Sequence, residues 1–363
     1  MERKELDEAR IQGQAEISWY MFSFVDSMAL KSVVELRIAD IIHCHGVVIT
    51  LSQIASCISD GLTSRDITTL VRIMRFLVRR KVFTVHHSSK EVEWKKILEG
   101  GSFSHYKIIN IPDLLSIIEA KNEIPRELGE RPNAMERIEL DEARLQGQAE
   151  IWRYMFSFAD SMALKSTVEL RIADIIYSYG GAATLSQIAS CINDGLTSLD
   201  ITTLSHIMRL LVRKKIFTIH PPSDGGDPLY DLTHLLRWLL HNSEQTLAPM
   251  VLMENHPWQM APWHYFSQCV KEGGVAFKKA HGCEIWDLAS KNPDFNKLFN
   301  DGLACTSKVV TSVILLGYKQ GFNSIGSLVD VGGGTEGLIS EIVKAYPQIK
   351  VNTFDVWICF DNL

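Results

Sequence analysis

The sequence predicts a mixed fold: two mainly α-helical winged-helix modules, followed by the start of an α/β Rossmann-like domain whose sheet is incomplete. Three observations predict it. Residues Met1 to His87 recur at Met135 to Pro221 with a constant offset of 134 and no gap, and 66 of the 87 positions are identical. Each copy carries apolar residues at helical spacing, then a short β-branched strand. Beyond the second copy, Leu328-Val-Asp-Val331 runs into Gly332, Gly333 and Gly334 and then into an apolar-periodic stretch, Leu338 to Ala345. Strand, glycines and helix in that order let a backbone approach a nucleotide-like ligand at a helix N-terminus.

Within each copy the elements follow from local pattern. Ile17, Tyr20, Met21, Phe24 and Met28 recur three and four apart, as do Ile151, Tyr154, Met155, Phe158 and Met162, which predicts one amphipathic helix. Ala29 to Ile42 (Ala163 to Ile176) is apolar on most of its surface and predicts a central, buried helix. Thr50-Leu-Ser-Gln53 has the form of a capping box opening a short helix, Leu51 to Cys57, which Gly61 ends. Thr63 or Ser64 is expected to cap a helix from about Asp66 to Arg80 with Leu70, Ile73, Met74 and Leu77 on one face. Lys81 to Val85 follows as a strand.

Copy two completes a wing. Ile216 to Ile219 is followed by a Pro/Gly-rich turn and a returning strand, Leu229 to Leu232. Homology in copy one stops at His87, so its first wing strand is expected to keep an unpaired edge.

Composition limits the function classes. The 363 residues are 46% hydrophobic and 22% charged, with net charge -6 and no Lys/Arg block, so neither nucleic acid nor anionic membrane is expected as a partner. Within the winged-helix reading, Arg65 and Arg72 become Leu199 and His206 in copy two, which disfavours a phosphate-contacting face. The seven cysteines are scattered and never spaced as CxxC, which implies reduced thiols, no zinc site and no disulfide framework. The N-terminus lacks an apolar signal core and no run of eighteen apolar residues occurs, so a cytoplasmic location is expected.

Ala248-Pro-Met-Val-Leu-Met-Glu-Asn-His-Pro-Trp-Gln-Met-Ala-Pro-Trp263, Phe277-Lys-Lys-Ala-His-Gly-Cys-Glu-Ile-Trp286, Phe295-Asn-Lys-Leu-Phe-Asn300 and Ser327-Leu-Val-Asp-Val-Gly-Gly-Gly334 together resemble the plant phenolic O-methyltransferases that use S-adenosylmethionine, isoflavone O-methyltransferases above all. The resemblance runs from Met135 to Asp355. It implies winged-helix dimerisation modules at 1–87 (wing incomplete) and 135–246, a methyltransferase C-terminal remnant plus linker at 88–134, and a truncated cofactor-binding domain at 247–363.

The resemblance implies that Asp330, Gly332, Gly333, Gly334 and Asp355 hold S-adenosylmethionine. Asp355 lies at the spacing that suits a ribose-binding acid. Phe277, His281 and Trp286 match positions lining a phenolic pocket, although ordinary helix packing explains them equally well. His256, Trp263 and His264 are either core or pocket wall, and Met250, Met253 and Met260 are read as gap-filling core. Glu336 stands where the family has a glycine, and its carboxylate is expected to impair cofactor binding.

Methyl transfer to a phenol needs a general base. The family supplies a histidine in a Trp-x-x-His-Asp-Trp segment downstream of the ribose acid, and none of the twelve histidines here follows Asp355. No catalytic residue and no metal ligand is assigned. Glu91 to Leu98, Ser104 to Ile109 and Pro112 to Ala120 resemble the family's C-terminus, with Glu91 and Glu93 as a solvated helix face and 88–134 poorly ordered. The chain therefore presents as two fused, truncated copies, inactive as written. The alternative is a non-catalytic dimerisation partner, forming a homodimer or a heterodimer with full-length relatives.

Overall fold

The computed structural model describes residues 2–45, 48–58, 67–86, 117–119, 134–192, 199–221, 226–331 and 337–354. They form two compact units. The first comprises Met1–Phe24, Ala159–Met260 and Cys283–Leu363; the second comprises Val25–Phe158 and Ala261–Gly282. The segments 1–87, 135–246 and 247–363 are thus each split between the units, while 88–134 falls in the second. Each repeat leaves its opening helix in the unit built around the other repeat.

Copy one contains α1 (Glu2–Met21), α2 (Phe24–Glu35), α3 (Ile38–His45), β1 (Val48–Thr50), α4 (Leu51–Ile58), α5 (Ile67–Arg79) and β2 (Thr84–His86). A further strand, β3, spans Ile117–Glu119. Copy two repeats the order as α6 (Ala134–Met155), α7 (Phe158–Glu169), α8 (Ile172–Ser178), β4 (Ala182–Thr184), α9 (Leu185–Ile192), α10 (Ile201–Arg213), β5 (Phe217–His220) and β6 (Leu229–Leu232). The capping box is present in both copies. Gln53 Oε1 accepts from Thr50 N at 2.9 Å, and Gln187 Oε1 from Thr184 N at 2.8 Å. The predicted face of α5 is buried at Leu70, Ile73, Met74 and Leu77.

Two predicted helices are interrupted. The stretch Ile17 to Met28 breaks after Met21, where Ser23 Oγ donates to Tyr20 O at 2.8 Å and takes up a carbonyl that a continuing helix would use. Ala29 to Ile42 breaks at Arg37, whose φ of 52° is left-handed; Arg171 repeats this with φ 53°. Local turn geometry overrides apolar periodicity at both sites. The strand expected from Lys81 starts only at Thr84, because Lys81 is itself left-handed with φ 60°. The caps expected at Thr63 or Ser64, and the breaker Gly61, lie outside the described residues. In copy two the corresponding helix is capped by Asp200, which accepts from Thr202 N and Thr203 N.

The wing of copy two is the predicted hairpin, with Phe217 paired to Leu232 and His220 to Leu229 in a sheet of order β4-β6-β5. The unpaired edge expected in copy one is corrected. Ile117–Glu119 fills the central place of a β1-β3-β2 sheet, with Val85 opposite Ile118 and Ile49 opposite Ile118 on the other side. An exposed row of strand N–H and C=O groups is satisfied here by any extended apolar segment within reach. The rest of 88–133, Glu91 and Glu93 included, lies outside the described residues.

After β6, a 3₁₀ turn (Leu236–Leu239) leads to α11 (Ala248–Glu254), α12 (Pro257–Met260) and a second 3₁₀ turn (Ala261–Tyr265). Then come α13 (Phe266–Glu272), α14 (Ala276–His281), α15 (Ile285–Lys291), α16 (Pro293–Gly317) and α17 (Lys319–Ser324). Asn292 caps α16 by accepting from Phe295 N at 3.0 Å, with Pro293 in the first turn. Gly302 of α16 permits close packing on α11, since a Cβ there would stand 2.6 Å from Met253 Sδ.

Candidate functional site

The first unit ends in a β-α-β segment: β7 (Ser327–Val331), α18 (Gly337–Ala345) and β8 (Lys350–Phe354). The two strands are parallel, running in register from Ser327 opposite Lys350 to Val331 opposite Phe354. Ile342 and Ile349 bury against Phe322 of α17, with Leu328 and Val351 packed beside them. This apolar layer fixes where the C-terminal end of β7 points. Predicted as a buried strand, β7 is instead open on its other face, where Val329 is 53% and Val331 75% exposed. A two-stranded sheet covered by helices on one side leaves its alternate side chains without a neighbour.

Asp330 sits one residue before the end of β7. Its Oδ2 is buried and has no hydrogen-bond partner among the described residues. A buried carboxylate oxygen is normally satisfied, so an orphan acceptor at the mouth of a strand-glycine-helix turn fits a ligand that brings a donor. Gly332, Gly333, Gly334, Glu336 and Asp355 lie outside the described residues. The structure therefore places Asp330 alone of the predicted cofactor set.

The predicted pocket residues divide between the units. In the second unit Phe277 and His281 of α14 meet with tilted rings, their centroids 4.5 Å apart. In the first unit Trp286 meets Phe299 edge-on at 5.6 Å, and Phe299 stacks on Phe295, which meets Trp258 at 5.4 Å. His256 tilts against Trp258 at 4.4 Å, and its Nδ1 accepts from Trp258 N. Burial, with help from the positive charge of Lys165, pushes the His256 imidazole below its ordinary value.

Glu254 is a residue the sequence reading passed over. It ends α11 beside buried Met253 and Asn255, and burial pushes its carboxyl up to about 7. The signal was legible: one acid closes the apolar run Met250-Val-Leu-Met253. Such a group exchanges protons near neutral pH. Among the described residues no three His, Cys, Asp or Glu side chains cluster as a metal site, and no helix is long and apolar enough to cross a membrane.

A parallel β-α-β segment, with a strand-end carboxylate oxygen that has no partner among the described residues, has the strand-turn-helix-strand order of a Rossmann-like fold. Comparison with known proteins specifies it. An O-methyltransferase dimerisation domain matches residues 19–96 and again 152–242, and an O-methyltransferase domain matches 263–359. The chain belongs to the O-methyltransferase family.

Desmethylxanthohumol 6'-O-methyltransferase of Humulus lupulus is 52% identical over 217 residues, 58% of this chain and 62% of that protein. (R,S)-Reticuline 7-O-methyltransferase of Papaver somniferum is 48% identical over 218 residues, 59% of this chain and 61% of its own length. The chain thus spans about three fifths of these relatives. Human N-acetylserotonin methyltransferase, solved in complex with SAM, shares the fold with a TM-score of 0.50 at 18% identity, covering 63% of this chain and 61% of that one.

Proposed function

We propose that this protein binds S-adenosylmethionine at the C-terminal end of β7, as part of the family's transfer of methyl groups to phenolic hydroxyls. The observation that carries the reading is the orphan Asp330 Oδ2 at the strand end. Asp330 and Gly332 to Gly334 would hold the cofactor from one side, and Asp355 the ribose from the other. Bound there, the cofactor supplies an electrophilic sulfonium methyl. Phe277, His281 and Trp286 are each proposed, by the family resemblance, as acceptor-contacting residues. The motifs favour an isoflavonoid-type phenol, and the two plant relatives add desmethylxanthohumol and reticuline as acceptors to test.

We infer also that Glu336 weakens the binding. Calorimetric titration of the full chain with S-adenosylhomocysteine tests both. Asp330→Asn should weaken binding about tenfold or more, a loss near that of one charge-assisted hydrogen bond. Glu336→Gly should tighten it several-fold, on the order of 1 kcal/mol. No heat of binding at millimolar ligand would end the cofactor reading, and unchanged affinity in Glu336→Gly would end the reading of Glu336.

A second reading, a non-catalytic dimerisation partner, is favoured by the twofold match to the dimerisation domain, 19–96 and 152–242.

A further inference from the structure

We propose that the two repeats pair with each other within one chain, copy one serving as a tethered stand-in for the second subunit. The proposal rests on the dimerisation reading and names its partner; it is independent of cofactor binding.

The first observation is a reciprocal exchange of opening helices. In the first unit, α1 of copy one lies on copy two. Tyr20 Oη donates to Lys214 O at 2.6 Å, and Lys214 Nζ in turn bonds Asp160 at 2.6 Å. In the second unit, the C-terminal end of α6 of copy two meets copy one. Tyr154 Oη donates to Arg80 O at 2.7 Å, and Arg80 Nε pairs with Asp26 at 2.7 Å. The offset of 134 carries Tyr20 onto Tyr154, Arg80 onto Lys214 and Asp26 onto Asp160. Two contacts related in this way are the signature of an isologous interface, in which i meets j and j meets i. Here both are made inside a single polypeptide.

The second observation concerns Ala261–Gly282, which follows copy two in sequence but belongs to the unit of copy one. Val270 is buried in the core that Val33, Leu36 and Ile73 form. Ser267 Oγ hydrogen-bonds the Glu35 carboxylate, and Lys31 Nζ donates to His264 O at 3.2 Å. This segment carries the proposed pocket residues Phe277 and His281. A covalent tether gives such a pairing an effective concentration on the order of millimolar, above what a separate chain reaches in dilute solution.

Photo-crosslinking the full chain tests this. With Tyr20→p-benzoyl-phenylalanine, irradiation should yield a product with the denatured mass of one chain, and peptide mapping should join α1 to the stretch around Lys214. Tyr154→p-benzoyl-phenylalanine should join α6 to the stretch around Arg80, again at the mass of one chain. Products of doubled mass would overturn self-pairing while leaving the dimerisation reading intact. Absence of both joins would overturn both. The unsubstituted chain supplies a check that needs no variant: its thermal midpoint should stay constant over about a hundredfold range of protein concentration, and a midpoint rising with concentration would count against intrachain pairing.

Discussion

The helices α1 and α6 carry nearly the same residues and meet different fates. Ile17 and Met21 are 0% and 2% exposed; Ile151 and Met155, their counterparts, are each 42% exposed. The difference lies in what each finds to lie against. α1 seats on Trp238 of the 3₁₀ turn and on α11, where Asn255 Nδ2 donates to Met21 O at 3.3 Å. That turn and helix follow the wing of copy two. Copy one continues differently after His87, and among the described residues α6 has no equivalent floor. An amphipathic stripe states what a helix can bury; a facing surface decides whether it does.

Paired substitutions break or sharpen that contrast. Ile17→Ala should cost about 4 kcal/mol in denaturant unfolding, as for a fully enclosed aliphatic side chain, whereas Ile151→Ala should cost about 0.5 kcal/mol or less. Equal losses would mean that α6 is as well seated as α1.

Glu254 ends α11, next to the Asn255 that meets α1. Its folded value, about 7, stands above the ordinary 4.5, so the native state holds the proton more tightly than the unfolded one. Stability is therefore undiminished below about pH 4.5, falls as pH rises, and is fully reduced above about pH 7. Glu254→Gln should stabilise the protein by about 2 kcal/mol at pH 8 and by nothing measurable at pH 4. A pH-independent effect would place the carboxylate in water.

The smallest effect separates two glycines. A Cβ on Gly13 would stand 3.2 Å from Trp238 Nε1, while one on Gly147 would meet nothing within 4 Å. Gly147→Ala should raise stability by about 0.5–1 kcal/mol through helix propensity. Gly13→Ala should gain less than that or lose stability, and an equal gain at both sites would show that α1 stands off from Trp238.

Much of this was legible in the residues. The capping boxes at Thr50 and Thr184 close over four positions and need no distant partner. The face of α5, the hairpin Phe217–Leu232 and the β-α-β order from Ser327 to Phe354 are likewise set by short-range pattern. The breaks after Met21 and at Arg37 were not legible, because a left-handed residue or a Ser side-chain bond leaves no mark in apolar periodicity. Nor was the strand Ile117–Glu119, which reaches β2 from more than thirty residues away and replaces a hairpin partner that sequence order would have placed next. Of the candidate site, the strand that carries Asp330 was legible, but the exposure of Val329 and Val331 was not, since a β-branched run has the same pattern whether or not its second face is covered.

The sequence by itself determined the repeat, the elements inside each copy and the chemistry available at the end of β7, because each rests on neighbours along the chain. Tertiary structure alone decided that α1 belongs with copy two, that α6 belongs with copy one, and that one of these near-identical helices is buried while the other stays open. Those outcomes depend on surfaces far apart in sequence. Hydrophobic burial has no direction of its own and follows whichever complementary surface the chain can bring within reach.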